Sequence, residues 1–153
     1  MKNQTTVSVI IPVFNEEANL PELLQRTLAA CRALGVPFEL IFVDDGSHDQ
    51  SRALLKQAAN DHAEILVIML NRNYGQHAAV MAGFAQAHGE IIVTLDADLQ
   101  NPPEEIGKLV TKMQEGFDVI GSVRVPRCDS VFRRLSSYLV NRVTARVTGV
   151  MMH

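Results

Sequence analysis

The sequence predicts an α/β unit: a largely parallel sheet with helices on both faces. Three observations carry the prediction. Short β-branched runs recur along the chain, helical apolar stripes lie between them, and the runs are almost continuously apolar, as strands covered on both faces are. Alternation of this kind implies parallel strands joined by right-handed helical crossovers.

Val7-Ser8-Val9-Ile10-Ile11 reads as the first strand, followed by a helical stripe of Leu20, Leu23, Leu24, Leu28, Cys31 and Leu34. Phe38 to Val43 is the second strand, with Leu54, Leu55, Ala58 and Ala59 as the stripe behind it. Ile65 to Leu70 is the third, leading to Ala78, Met81, Ala82 and Ala85. Ile91 to Leu95 is the fourth, leading to Ile106, Leu109, Val110 and Met113, and Val119-Ile120 reads as a fifth. Gly35, Gly89 and Gly116 stand where helix C-caps belong. The chain shows no internal repeat, low-complexity tract or interdomain linker.

At 153 residues, 47% apolar and 20% charged, the chain is long and apolar enough to bury a core. A membrane span needs roughly 20 consecutive apolar residues, and no run approaches that length. The polar start MKNQTT lacks the apolar centre of a secretory signal, so the expectation is a cytoplasmic chain. Cys31 and Cys128 have neither metal-ligand spacing nor the numbers for a disulfide framework. Charge is unevenly spread: residues 1–120 carry 8 Lys and Arg against 16 Asp and Glu, whereas residues 121–153 carry 6 Arg against Asp129 alone. That basic end is suited to an anionic partner.

In an open parallel sheet, ligands bind beyond the carboxyl ends of the strands, where the strand-to-helix loops converge. The polar clusters fall there. In chain order they are Pro12-Val13-Phe14-Asn15-Glu16, Asp44-Asp45-Gly46-Ser47, Asn71-Arg72-Asn73-Tyr74-Gly75-Gln76, Asp96-Ala97-Asp98-Leu99-Gln100, and Ser122-Val123-Arg124. Leaving the fourth strand in extended form, Asp96, Asp98 and Gln100 would point to one side and offer oxygens to a hard cation, Mg²⁺ or Mn²⁺. Such an ion keeps positions open for a diphosphate that bare carboxylates would repel. The alternative is a solvated loop leading into the helix start Pro102-Pro103-Glu104-Glu105.

The other clusters also carry two readings each. Asp44 to Ser47 is either a turn with Ser47 or Asp49 as an N-cap, or a loop in which Asp45 accepts hydrogen bonds from a nucleobase or ribose. Asn15 is either an N-cap or part of a loop that packs Phe14 and backbone amides against a base. Arg72 is either a surface charge or a phosphate contact, and His77 lacks a second histidine at ligand spacing. From Ser130 onward, Phe132, Leu135, Leu139, Val143 and Val147 recur at helical spacing among four arginines. That pattern fits a helix lying on anionic lipid as well as one packed on the sheet.

Val7 to Leu24, Asp44 to Ser47 and Leu95 to Pro103 together resemble the family 2 glycosyltransferases of the GT-A fold that load sugars onto polyprenyl phosphates. The longer strings, Leu70 to Ala79, Met81 to Phe84 and "TLDADLQNPPEEI", resemble the bacterial branch that transfers 4-deoxy-4-formamido-L-arabinose to undecaprenyl phosphate. The resemblance runs in order along essentially the whole chain.

On that resemblance, the fold is GT-A, Rossmann-like and C-terminally truncated. Residues 1–123 would be the nucleotide-sugar-binding domain, and residues 124–153 a basic amphipathic start of the acceptor- and membrane-facing part. Pro12, Val13, Phe14, Glu16, Asp45 and Asp96 would hold the nucleotide. Asp96, Asp98 and Gln100 would hold Mg²⁺ or Mn²⁺ on the diphosphate, with Asp98 as the catalytic position, and Arg124 would contact the acceptor phosphate. The implied partners are a UDP-sugar, undecaprenyl phosphate and the cytoplasmic side of the bacterial inner membrane, with no nucleic acid, and with self-association through uncovered helices. The family continues beyond residue 153 into an acidic acceptor-side motif, a catalytic aspartate and C-terminal transmembrane segments. Two functions therefore stand open: an active transferase, and a fragment that only binds nucleotide or a membrane or protein partner. Glucose- and mannose-carrying relatives share the same motifs. A phosphatase of the haloacid dehalogenase type is disfavoured, because its Asp-x-Asp follows the first core strand.

Overall fold

The computed structural model describes residues 6–121. Strands β1 (Val7–Val13), β2 (Phe38–Asp44), β3 (Ile65–Met69) and β4 (Ile91–Thr94) alternate with helices α1 (Leu20–Arg32), α2 (Ser51–Asp61), α3 (Gln76–Phe84) and α4 (Ile106–Met113), the last preceded by a 3₁₀ turn at Pro103–Glu105. All pairings are parallel, in the order β3-β2-β1-β4. Register is continuous: Val7 pairs with Phe38 and Ile91, and Asp44 with Met69.

Strand alternation sorts the core onto two faces. Val7, Val9, Ile11 and Val13 join Leu40, Phe42 and Val93 against Leu20, Leu23 and Cys31 of α1, Leu55 of α2, and Ile106 and Val110 of α4. Ile10, Ile41 and Val43 pack on the opposite face against Ala79 of α3. The sheet order explains this division. The chain steps outward from β1 to β2 to β3, then returns across the sheet to β4, and crossovers of constant hand place the returning helix on the other face. Because β1 and β2 are central, both their faces are covered. Among the described residues the second face has only α3, which leaves Leu66 of β3 and Ile92 of β4 exposed.

Several expectations are corrected. Val119-Ile120 forms no strand, and Val119 is 86% exposed, so this short run has no neighbour to pair with among the described residues. Pro12 and Val13 lie inside β1 rather than in the loop after it. Gly35 and Gly116 close α1 and α4 at positive φ, but Gly89 is no cap. A Cβ on Gly89 would sit 2.5 Å from the Ser8 backbone nitrogen, so glycine there allows the chain to pass close to β1. Cys31 is fully buried, and burial pushes its thiol up to about 12, which makes it an inert core side chain. Among the described residues no helix is long and apolar enough to cross a membrane.

Candidate active site

The loops at the carboxyl ends of β1 and β2 are joined by reciprocal hydrogen bonds. The Asn15 amide donates to Ser47 Oγ at 2.9 Å, and Asn15 Oδ1 accepts the His48 amide at 2.8 Å. Glu16 N–H reaches Ser51 Oγ at 2.9 Å, Glu17 N–H reaches Asp49 Oδ2 at 3.1 Å, and Gln50 N–H returns to Glu17 at 2.8 Å. These short polar side chains satisfy the orphan amides ahead of α1 and α2. Asn15 does not cap α1, contrary to one of its two readings; of the two candidates ahead of α2, Ser47 and Asp49, it is Asp49 that takes a first-turn amide, that of Ser51 at 2.9 Å. Hydrogen bonds from the Ser51 hydroxyl and from nearby amides hold the Asp49 carboxyl below its ordinary value, outweighing the opposing effect of burial.

A second seam joins β2 to the loop after β3. Asp44 is shielded from water, with Oδ2 2.7 Å from Arg52 Nε and Oδ1 accepting the Ser47 amide at 3.2 Å. Arg52 also donates to the Leu70 carbonyl. Asp45, 3% exposed, accepts the Tyr74 amide at 2.8 Å and the Gly75 amide at 2.9 Å. Gly46 lies against the other strand of this seam: a Cβ there would meet the Arg72 carbonyl carbon at 2.4 Å. Arg72 stacks over the Tyr74 ring at 4.8 Å, and Tyr74 Oη donates to Asn71 at 3.0 Å.

The third link reaches the acidic motif. Gln76, the first residue of α3, donates through Nε2 to Asp96 Oδ1 at 2.8 Å. Beyond Asp96 the chain does not continue extended. It turns at Ala97 and Asp98, Leu99 adopts φ 58, and Asp98 Oδ1 accepts the Gln100 amide at 2.9 Å. The expected alternation of Asp96, Asp98 and Gln100 along a strand is therefore corrected. An aspartate that bonds an amide two residues on makes a local turn, and that turn competes with extension. Arg26 of α1 anchors the segment that follows, gripping both oxygens of Glu104 at 2.8 Å and Glu22 at 2.8 Å.

The other expected site residues divide into exposed and structural positions. Phe14 is 41% exposed, edge-on to His48 with ring centroids 6.4 Å apart. Val13 is in the core and its carbonyl accepts the Asp45 amide at 2.8 Å, so its side chain does not line the rim. Pro12 is half-buried in β1, and Glu16 accepts the Asn19 side-chain amide at 2.7 Å. Gln100 is exposed. Arg124, Cys128 and the basic stripe lie outside the described residues. Pattern reading missed Arg52, whose partner Asp44 is 8 positions away, and it placed Gln76 on the rim without its link to Asp96, 20 positions on.

Among the described residues no three His, Cys, Asp or Glu side chains are grouped to hold a metal by themselves. Two carboxylates beside an open rim nevertheless suit Mg²⁺ or Mn²⁺, which is commonly held by one or two carboxylates and completed by waters and substrate phosphates. Asp96 and Asp98 supply hard oxygens of the right kind, and both side chains are only half-buried.

Known proteins are similar to this chain in sequence and in fold. Residues 8–148 match the family model described as Glycosyl transferase family 2. The chain is 60% identical over 148 residues to the undecaprenyl-phosphate 4-deoxy-4-formamido-L-arabinose transferase of Pseudomonas paraeruginosa, covering 96% of this chain and 44% of that protein. It is 58% identical to the same-named transferase of Pectobacterium atrosepticum, covering 95% of this chain and 45% of that protein. The chain thus spans less than half the length of these curated relatives. Among solved structures, it resembles S. aureus TarS residues 1–349 in complex with UDP-GlcNAc, at 25% identity and TM-score 0.58, covering 80% of this chain and 37% of that one. It also shares its fold with the mannosyltransferase PcManGT from Pyrobaculum calidifontis, in complex with GDP-Man and Mn²⁺, at 24% identity and TM-score 0.62 over 83% of this chain and 38% of that one. The sheet is that of GT-A glycosyltransferases, and the chain belongs to glycosyl transferase family 2.

Proposed function

We propose that this chain forms the donor-binding portion of a metal-dependent glycosyltransferase that moves 4-deoxy-4-formamido-L-arabinose from UDP to undecaprenyl phosphate with inversion. The observation that carries the reading is the continuous rim. Hydrogen bonds join the loops after β1, β2 and β3 and reach Asp96 through Gln76, at the strand ends where a parallel sheet binds nucleotides. The acceptor and sugar come from the names of relatives 58% and 60% identical to this chain.

In this reading the exposed Phe14 ring and the Asp45 region receive the uridine, with Pro12, Glu16 and the Val13 backbone shaping the loop around it. Asp96, Asp98 and Gln100 face the diphosphate, and Asp98 is the position closest to the chemistry. A divalent ion bound there supplies charge neutralisation that eases departure of UDP. The acceptor needs little help from a base, since a phosphate monoester with a second pKa of about 6 is largely ionised near neutrality. Its oxygen bonds to the anomeric carbon from the opposite side as the bond to UDP breaks. Arg124 contacts that phosphate, and residues 124–153 meet the cytoplasmic face of the inner membrane.

A calorimetric panel of UDP, GDP, CDP and ADP with Mg²⁺ tests the donor class. UDP is expected to bind about tenfold or more tightly than the purine nucleotides, a difference of about 1.4 kcal/mol or more. Equal affinity for all four would overturn the proposal.

A further inference from the structure

Both carboxylate oxygens of Asp45 are engaged within the protein. Oδ1 accepts the Tyr74 amide, Oδ2 accepts the Gly75 amide, and the residue is 3% exposed. A nucleobase on this rim must therefore be held chiefly by groups that are open to it. Two rings are open close by: Phe14, which follows β1, is 41% exposed, and His48, in the loop after β2, is exposed as well. They meet nearly at right angles, with centroids 6.4 Å apart and planes at 77°. Tyr74 is the next open ring along the rim, but the Arg72 guanidinium already lies over it at 4.8 Å.

Asn15 holds the two rings together. It has φ 55, in the left-handed region that side chains enter at a cost and that asparagine tolerates better than most. Its amide donates to Ser47 Oγ at 2.9 Å, and its Oδ1 accepts the His48 amide at 2.8 Å. One residue thus fixes the backbone next to Phe14 and the backbone of His48 itself. Rings placed before a ligand arrives lose less freedom when it binds.

A right-angled corner suits a planar heterocycle. A base that stacks on one ring presents its edge to the other, which is a favourable aromatic contact in both directions. Stacking on an aromatic side chain tolerates any base, so the corner supplies affinity for a base rather than the choice among bases.

We infer that His48 is a further binding residue of this rim, that it forms with Phe14 a corner for the base of a nucleoside diphosphate, and that Asn15 is the positioning residue of that corner. The inference rests on the reading of the rim as a donor site. It assigns His48 to the base end of the ligand, so the contribution of His48 does not depend on a cation at the diphosphate.

The experiment is calorimetric titration of the 153-residue chain with UDP, in Mg²⁺ and in EDTA, for wild type, His48→Ala, His48→Phe, Asn15→Ala and Asn15→Asp, with a melting curve for each. His48 is exposed, so its two variants are expected to melt with the wild type. His48→Ala should bind UDP about tenfold more weakly in both media, leaving the gain from Mg²⁺ at its wild-type size. His48→Phe keeps a ring and should stay within about twofold of the wild type. Asn15→Ala should weaken UDP binding in the same metal-independent way, and Asn15→Asp, which keeps the acceptor oxygen, should restore it. A His48→Ala protein that binds UDP like the wild type, or that loses only the gain from Mg²⁺, would overturn the inference and leave the donor-site reading standing. A His48→Phe protein as weak as His48→Ala would do the same. A wild type that binds no UDP would overturn the donor-site reading, and the inference with it.

Discussion

Arg52 Nε lies 2.7 Å from Asp44 Oδ2, with the aspartate fully shielded and the arginine side chain 39% exposed. The pair closes the carboxyl end of β2, and through Leu70 it fixes the neighbouring end of β3. Removing the arginine strands a charge away from water. Arg52→Ala is expected to cost about 2–4 kcal/mol, less than the full cost of breaking a buried pair because the arginine end is hydrated. A double-mutant cycle with Asp44→Asn, read by denaturant unfolding, should return a coupling of about 1–3 kcal/mol. Additive effects would mean that the pair holds nothing together.

Gly75 gives the segment from the Asp45 loop to Asp96 its shape. A Cβ added there would meet no atom within 4 Å, so the penalty of Gly75→Ala is conformational rather than steric. Holding alanine at that φ and ψ costs about 1–3 kcal/mol. The variant should unfold at lower denaturant and bind UDP more weakly, whereas wild-type stability would show that the loop adopts another conformation.

Thr27 carries the sole buried side-chain polar atom without a partner among the described residues. It lies in α1, fully buried. An unsatisfied buried hydroxyl costs about 1–3 kcal/mol, so Thr27→Val should stabilise the chain by about 1 kcal/mol and raise Tm by about 3 °C. A fall in Tm would reveal a partner for the hydroxyl.

The Arg26–Glu104 contact predicts a response to acid. Hydrogen bonding from Arg26 holds the Glu104 carboxyl at about 2, below its ordinary 4.5, and Glu104 reciprocally raises Arg26. A carboxyl with a lowered folded pKa contributes stability above its unfolded value and loses it as pH falls through its folded value. Wild-type Tm should therefore fall between about pH 4.5 and pH 2 more steeply than that of Arg26→Gln, by a modest margin because Glu104 is exposed and Arg26 is only partly buried. Parallel curves would show that the contact does not persist in solution.

The sheet was legible because Val7 to Ile11, Phe38 to Val43, Ile65 to Met69 and Ile91 to Leu95 are apolar runs whose burial outweighs other local preferences. Val119-Ile120 carried the same composition, but a strand is defined by its neighbour, and no described strand pairs with it. The site's acids were legible by type and place. Their geometry was not: alternation suggested an extended Asp96 to Gln100, and the local bond from Gln100 N–H to Asp98 turned the chain instead. The seams at Asn15–Ser47, Asp45–Tyr74 and Gln76–Asp96 join residues 20 to 32 positions apart, and only the folded sheet brings them together.

If the Asp96 to Gln100 turn completes a metal-dependent nucleotide site on this rim, a divalent ion must strengthen nucleotide binding through Asp98. The first experiment is calorimetric binding of UDP to the 153-residue chain, with and without Mg²⁺ or Mn²⁺, alongside Asp98→Ala. Binding should be strengthened by the ion in the wild type, with that strengthening lost in a variant that remains folded. A folded wild type that ignores the ion, or an Asp98→Ala protein that responds to it equally, would contradict a metal site at this turn.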